Sequence, residues 1–171
     1  MGVRPKSRFL TFSTYILSFV GILLSFYAYY VETSAEKDKS FKAMCDFSET
    51  VSCSKVFTSR FGRGFGLVQY ITGTDSVLNQ PNSVFGVLFY VIQVVCASSV
   101  LPMLTNVQVF TAVLANCGSV YLAYILYFVL EDFCVVCVST YLVNAFILGC
   151  ALIKWRRSQS IQKTKKKHKQ G

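Results

Sequence analysis

Polar and apolar positions fall into blocks along the chain. Three basic residues (Arg4, Lys6, Arg8) precede an uncharged run at 9–31. A transmembrane helix needs about 20 apolar residues, so this run is long enough to span a bilayer. It is longer than the apolar stretch of a usual signal peptide. No small-residue cleavage pattern follows Tyr29-Tyr30-Val31, so a retained span is expected. Residues 32–82 are polar and nearly neutral. Residues 83–130 then carry no charge at all, too long for one span and suited to two. Pro102 is expected to end a helix, which puts the break near Leu101–Asn106. A short Glu131-Asp132 turn leads to a last apolar run, and a basic tail begins at Lys154.

The expected fold is an all-α integral membrane protein with one domain over 1–171. Its core is a four-transmembrane-helix bundle with spans at about 9–31, 83–101, 106–130 and 133–153. The large loop at 32–82 is expected to hold short helical pieces that cap the bundle, because structureless loops of that length are uncommon. Leu67–Ile71 in it is an apolar patch suited to resting on a membrane surface. Composition agrees. The chain is 53% hydrophobic and 15% charged, where soluble domains carry about a quarter charged residues.

The net charge of +9 does not indicate nucleic acid. Eight of the 17 basic residues lie from Lys154 onward and three lie before Phe9. Basic flanks of this kind mark cytoplasmic ends. Four spans then place both termini in the cytoplasm, with loop 32–82 and the 131–132 turn together on the luminal side. Lys167 and Lys169 resemble a dilysine retrieval signal and weakly support an endoplasmic reticulum membrane. A solvated tail accounts for them equally well.

Seven cysteines remain to be sorted. Cys96, Cys117 and Cys150 lie inside expected spans and read as small apolar residues. No metal site is expected, since His168 is the single histidine and the thiols are dispersed. Cys45 and Cys53 lie eight apart in the loop and by themselves suggest a static disulfide. Cys134-Val135-Val136-Cys137 begins the last span. Two cysteines at that spacing share a helix face, and a helix start favours thiolate. Zinc binding or plain packing would use the same spacing. With both pairs on one membrane face, a relay by thiol–disulfide exchange becomes available. The lipid-phase acceptor would sit among Phe85, Phe89, Tyr90, Tyr121, Tyr124, Tyr127, Phe128 and Tyr141, most of them ordinary lipid-facing or core residues, in a setting suited to a quinone. Asn82 opens the second span, where a helix N-cap is the plain alternative. Tyr141 lies at i+4 from Cys137 and shares its face.

Met44-Cys45-Asp46, Val51-Ser52-Cys53-Ser54, Ser59–Leu67, Leu78–Gly86 and Asp132–Cys137 occur in the same order as in the vitamin K epoxide reductase family, which this chain resembles from about Gly21 to Ile153. Gly21–Ser25, Tyr27–Tyr29, Asn79–Asn82 and Tyr121–Tyr127 look closer to a paralogous branch of that family. Phe61 stands where the family usually has tryptophan. The resemblance implies reduction of vitamin K 2,3-epoxide to quinone and of quinone to hydroquinone, with no tightly bound cofactor. Cys134 and Cys137 would be the active-site pair, with Cys137 attacking the ring. Cys45 and Cys53 would be the shuttle pair, with a transient Cys53–Cys134 disulfide and a luminal thioredoxin-like reductant. Asn82 and Tyr141 would hydrogen-bond the substrate, or a 4-hydroxycoumarin inhibitor. Phe57, Ser59, Phe85, Phe89 and Tyr90 would line or cap the pocket. Two other readings stand beside this one. One is a quinone-coupled oxidase of luminal thiols. The other is a non-enzymatic four-span scaffold, which gives no role to Cys134 and Cys137.

Overall fold

A computed structural model describes residues 5–48, 50–73, 76–99 and 101–170. The described residues form helices and no strand. The helices are α1 (Pro5–Lys37), α2 (Cys53–Thr58), α3 (Val68–Thr72), α4 (Asn82–Ser98), α5 (Pro102–Phe128) and α6 (Val135–Gln170), with a 3₁₀ turn at Gly64–Gly66. The long helices form a closed ring: α1 packs on α4 and α6, and α5 packs on α4 and α6.

The packing of α1 shows what solvent the bundle is built for. Its buried face carries Thr14, Ser18, Gly21, Ser25 and Ala28. Its outer face carries Phe12, Phe19, Leu23 and Phe26, all exposed. Small and hydroxylated residues inside with large apolar ones outside is the reverse of a soluble helix and the rule in membranes, where close backbone approach replaces the hydrophobic effect. At Gly21 the ring of Tyr90 sits so close that a Cβ could not fit. Three helices, at Arg8–Lys37, Pro102–Phe128 and Val135–Gln162, are long and apolar enough to cross a membrane. Helix α4 is also apolar but shorter, about 25 Å at 1.5 Å per residue.

Three boundaries differ from expectation. Pro102 starts α5 instead of ending α4. It sits at the first helical position, where its missing N–H would have had no partner anyway. Helix α4 therefore stops at Ser98 and α5 begins four residues before Asn106. The early end of α4 leaves carbonyls to satisfy. Lys154 Nζ reaches from α6 to Cys96 O (3.2 Å) and Ala97 O (2.9 Å), a cation at the negative end of a helix. Helix α6 does not stop at Ile153. The basic tail continues it to Gln170, since Lys, Arg and Gln are good helix formers and no Gly or Pro intervenes before Gly171. Helix α1 likewise runs past Val31 to Lys37.

The segment between α1 and α4 does carry short helical pieces. Asp46 organises its first half. Both carboxylate oxygens accept a backbone N–H, from Ser54 (3.1 Å) and Ala43 (2.8 Å). Ser52 and Ser54 hydroxyls add 3.0 and 2.6 Å bonds. Burial opposes ionisation of Asp46, but these bonds outweigh it and hold its carboxyl below the ordinary aspartate range. Ser52 Oγ also accepts from Lys55 N and so caps α2. Phe133 N donates to Thr50 O at 2.8 Å and ties this cap to the chain just before α6.

Candidate active site

Four sulfurs meet at one end of the bundle. A disulfide joins Cys45 to Cys53, with Cα atoms 5.9 Å apart. Cys134 and Cys137 are free thiols. Cys134 Sγ lies 3.7 Å from Cys53 Sγ, close to van der Waals contact, and both residues are fully buried. Cys134 is the residue before α6. Its sulfur accepts the Cys137 N–H at 3.2 Å, as an N-cap side chain would. The helix start thus directs an N–H donor at this sulfur. Tyr27 Oη donates to Cys45 Sγ at 3.7 Å from the α1 side.

On the other side of Cys137 a cavity of about 400 Å³ opens between the four long helices. Cys137 lines it and Cys134 does not. Asn82, Tyr141, Phe57, Phe85, Phe89 and Tyr90 also line it. Ser59 does not. Its hydroxyl turns back to Val56 O (2.7 Å) and closes α2. Tyr124, Tyr127 and Phe128 point outward and are exposed. Cys96, Cys117 and Cys150 contribute nothing to the lining.

The Tyr141 hydroxyl has no hydrogen-bond partner among the described residues, which leaves a phenol donor for a ligand. Asn82 is not a helix cap: Pro81 holds that position, and no side chain caps the helix. Asn82 instead clasps the loop above the cavity. Its Oδ1 accepts Phe65 N (2.9 Å), its Nδ2 donates to Phe61 O (2.7 Å), and its backbone N donates to Gly62 O (2.8 Å). One amide hydrogen remains for a ligand. Asn82→Ala should therefore raise the KM for the substrate and lower the midpoint of thermal unfolding together. It leaves two backbone groups unpaired, at about 1–3 kcal/mol each. Steady-state kinetics and a melting curve on the same preparation check both effects.

Two polar residues of the far wall, Asn144 and Ser119, are absent from the residues expected from sequence. Tyr90 Oη donates to Asn144 Oδ1 (2.9 Å), and Asn144 Nδ2 donates to Ser119 Oγ (2.9 Å). This chain of bonds fixes the Tyr90 ring against Gly21. The available signal was a lone Asn in an apolar span, at i+3 from Tyr141 and i+7 from Cys137. Ser83 also lines the cavity, and its buried hydroxyl has no partner among the described residues.

Two free thiols, one of them in the wall of an apolar cavity, stand beside a buried disulfide, an arrangement suited to a membrane-embedded thiol oxidoreductase. Comparison with known proteins agrees. The chain is 44% identical over 150 residues to vitamin K epoxide reductase complex subunit 1 of Mus musculus, covering 88% of this chain and 91% of that protein. The Rattus norvegicus protein of the same name is 43% identical over 132 residues, 77% of this chain and 82% of that protein. The vitamin K epoxide reductase family model matches residues 13–152, and the chain belongs to that family.

Proposed function

We propose that this enzyme reduces vitamin K 2,3-epoxide to the quinone, and the quinone to the hydroquinone, with electrons passed from the Cys45/Cys53 pair to the Cys134/Cys137 pair. The observation that carries this is the 3.7 Å separation of Cys53 and Cys134 sulfurs, with Cys137 next in the wall of an apolar cavity.

The steps balance as follows. A luminal thioredoxin-like dithiol reduces Cys45–Cys53 and is itself oxidised. The Cys53 thiolate attacks Cys134 of a Cys134–Cys137 disulfide, which forms a mixed disulfide and frees Cys137. Cys45 then attacks Cys53, restores the Cys45–Cys53 disulfide and releases Cys134. The result is the arrangement in the structure: an oxidised shuttle pair beside two free thiols. The Cys137 thiolate opens the epoxide by attack on a ring carbon. The oxygen takes a proton and stays on the ring as a hydroxyl. Cys134 attacks the Cys137 sulfur, the carbon–sulfur bond breaks, the hydroxyl leaves as water, and the quinone departs. One disulfide forms for each epoxide consumed. The same dithiol passes two electrons and two protons to a quinone. Asn82 and Tyr141 supply donors for the ring oxygens in a water-poor site, where such bonds count most.

Helix α4 acts as a second of four spans, shortened at the Lys154 end. Both basic termini lie in the cytoplasm, and the cap lies in the lumen of the endoplasmic reticulum. A 4-hydroxycoumarin would compete for the cavity through the same donors. The test uses detergent-solubilised full-length protein with vitamin K epoxide and dithiothreitol, and follows quinone and hydroquinone by chromatography. Stoichiometric conversion is expected. An inactive preparation that retains the Cys45–Cys53 disulfide would overturn the substrate assignment.

A further inference from the structure

We infer that Arg63 is a positioning residue for this reaction: its guanidinium latches the loop over the cavity to α1 and so fixes the space above Cys137. Phe61, Gly62 and Phe65 of that loop form part of the cavity lining. The backbone there is strained. Gly64, Phe65 and Gly66 are consecutive residues at positive φ (52°, 57° and 71°), and Phe65 is a bulky side chain in a region glycine favours. Such a conformation persists only where its surroundings hold it.

Two sets of bonds hold it. On one side, Gly64 N donates to Gln80 O (2.9 Å) and Asn82 makes its three bonds to 61–65. These partners lie at and just before the start of α4. On the other side, the hydrogen bonds between the loop and α1 among the described residues all pass through Arg63. Its Nε donates to Glu32 Oε1 (3.0 Å), and its Nη2 donates to both oxygens of Glu36 (2.8 and 3.0 Å). Glu32 is the informative partner. Its side chain is 2% exposed, and it lines the cavity. A buried carboxylate needs a partner. A buried ion pair adds little net stability, but removing one partner leaves the other charge uncompensated. The pair is therefore best understood as setting where the loop closes.

This inference rests on the proposed substrate, and its test separates the two. In Arg63→Gln the KM for vitamin K epoxide should rise roughly tenfold, as for loss of a charged hydrogen bond, with kcat changed far less. Alkylation of Cys137 by a membrane-permeant maleimide, read by peptide mass spectrometry, should quicken several-fold. Alkylation of buried Cys96 should not change, whereas a merely loosened protein would expose both. Glu36→Gln, which leaves the Glu32 bond, should show a smaller rise. If Arg63→Gln does not give folded protein, Arg63→Lys keeps the charge, loses the fork, and is read in the same way. Unchanged KM with unchanged Cys137 alkylation in a folded variant overturns the latch, as does equal quickening at Cys96. If wild-type protein does not reduce the epoxide, the substrate assignment fails while the alkylation comparison still decides the latch.

Discussion

Cys137→Ser is expected to abolish epoxide and quinone reduction, by at least about a hundredfold, because a serine hydroxyl is not ionised at neutral pH and cannot replace a thiolate nucleophile. Cys117→Ser is expected to leave turnover within about twofold, since an exposed cysteine outside the cavity is a surface substitution. The contrast is sharp because both changes are isosteric and both lie on long helices. Cys137 differs from every other free cysteine in one respect: it alone among them lines the cavity. Cys134, its partner, sits on the other side with its sulfur against Cys53. In the variant the Cys45–Cys53 disulfide should persist, so a loss of fold and a loss of chemistry are told apart by non-reducing peptide mapping. Comparable epoxide reduction by the two serine variants, in membranes containing equal amounts of protein, would remove Cys137 from the mechanism.

The parts of the fold legible in the sequence are those with a single local cause. A helix in lipid satisfies its backbone internally and tolerates almost no charge, so uncharged runs announced α1, α5 and α6. The spacing of Cys134, Cys137 and Tyr141 put them on one helix face, and the cavity wall holds Cys137 and Tyr141 together. What stayed hidden was set by distant partners. The end of α4 depends on Lys154, 57 and 58 residues away. Pro102 looked like a terminator because its ring blocks a preceding turn, yet the same property suits it to open α5. A helix cap is the plain alternative for Asn82 in the sequence, but its amide is turned to Phe61 and Phe65, 21 and 17 residues back. Ser59 was placed with the pocket by its neighbours in a motif, and its hydroxyl is spent closing α2. The Glu32–Arg63 pair spans 31 residues, and nothing in the pattern of charges along 32–82 singles it out.

Cys45→Ser is expected to trap the relay halfway. In the proposed sequence Cys53 attacks Cys134, and the only thiol placed to release the mixed disulfide toward Cys53 is Cys45. With serine at that position the Cys53–Cys134 disulfide should accumulate in cells, and turnover supported by luminal reductants should fall to near background. Geometry favours trapping over simple loss. Cys53 and Cys134 are already in sulfur contact at 3.7 Å and fully buried, and Phe133 N fixes the approach by its bond to Thr50 O, so no backbone need move far. Asp46 anchors the segment carrying both shuttle cysteines through Ala43 and Ser54, and these bonds do not involve the Cys45 sulfur. A small dithiol reductant that reaches the mixed disulfide directly should restore epoxide reduction in vitro, because Cys134 and Cys137 are intact. Rapid alkylation of cells followed by mass spectrometry distinguishes the outcomes. A Cys45→Ser protein with free Cys53, no Cys53–Cys134 linkage and normal cellular turnover would show that electrons reach Cys134 by another route, and the contact between the two sulfurs would then be packing alone.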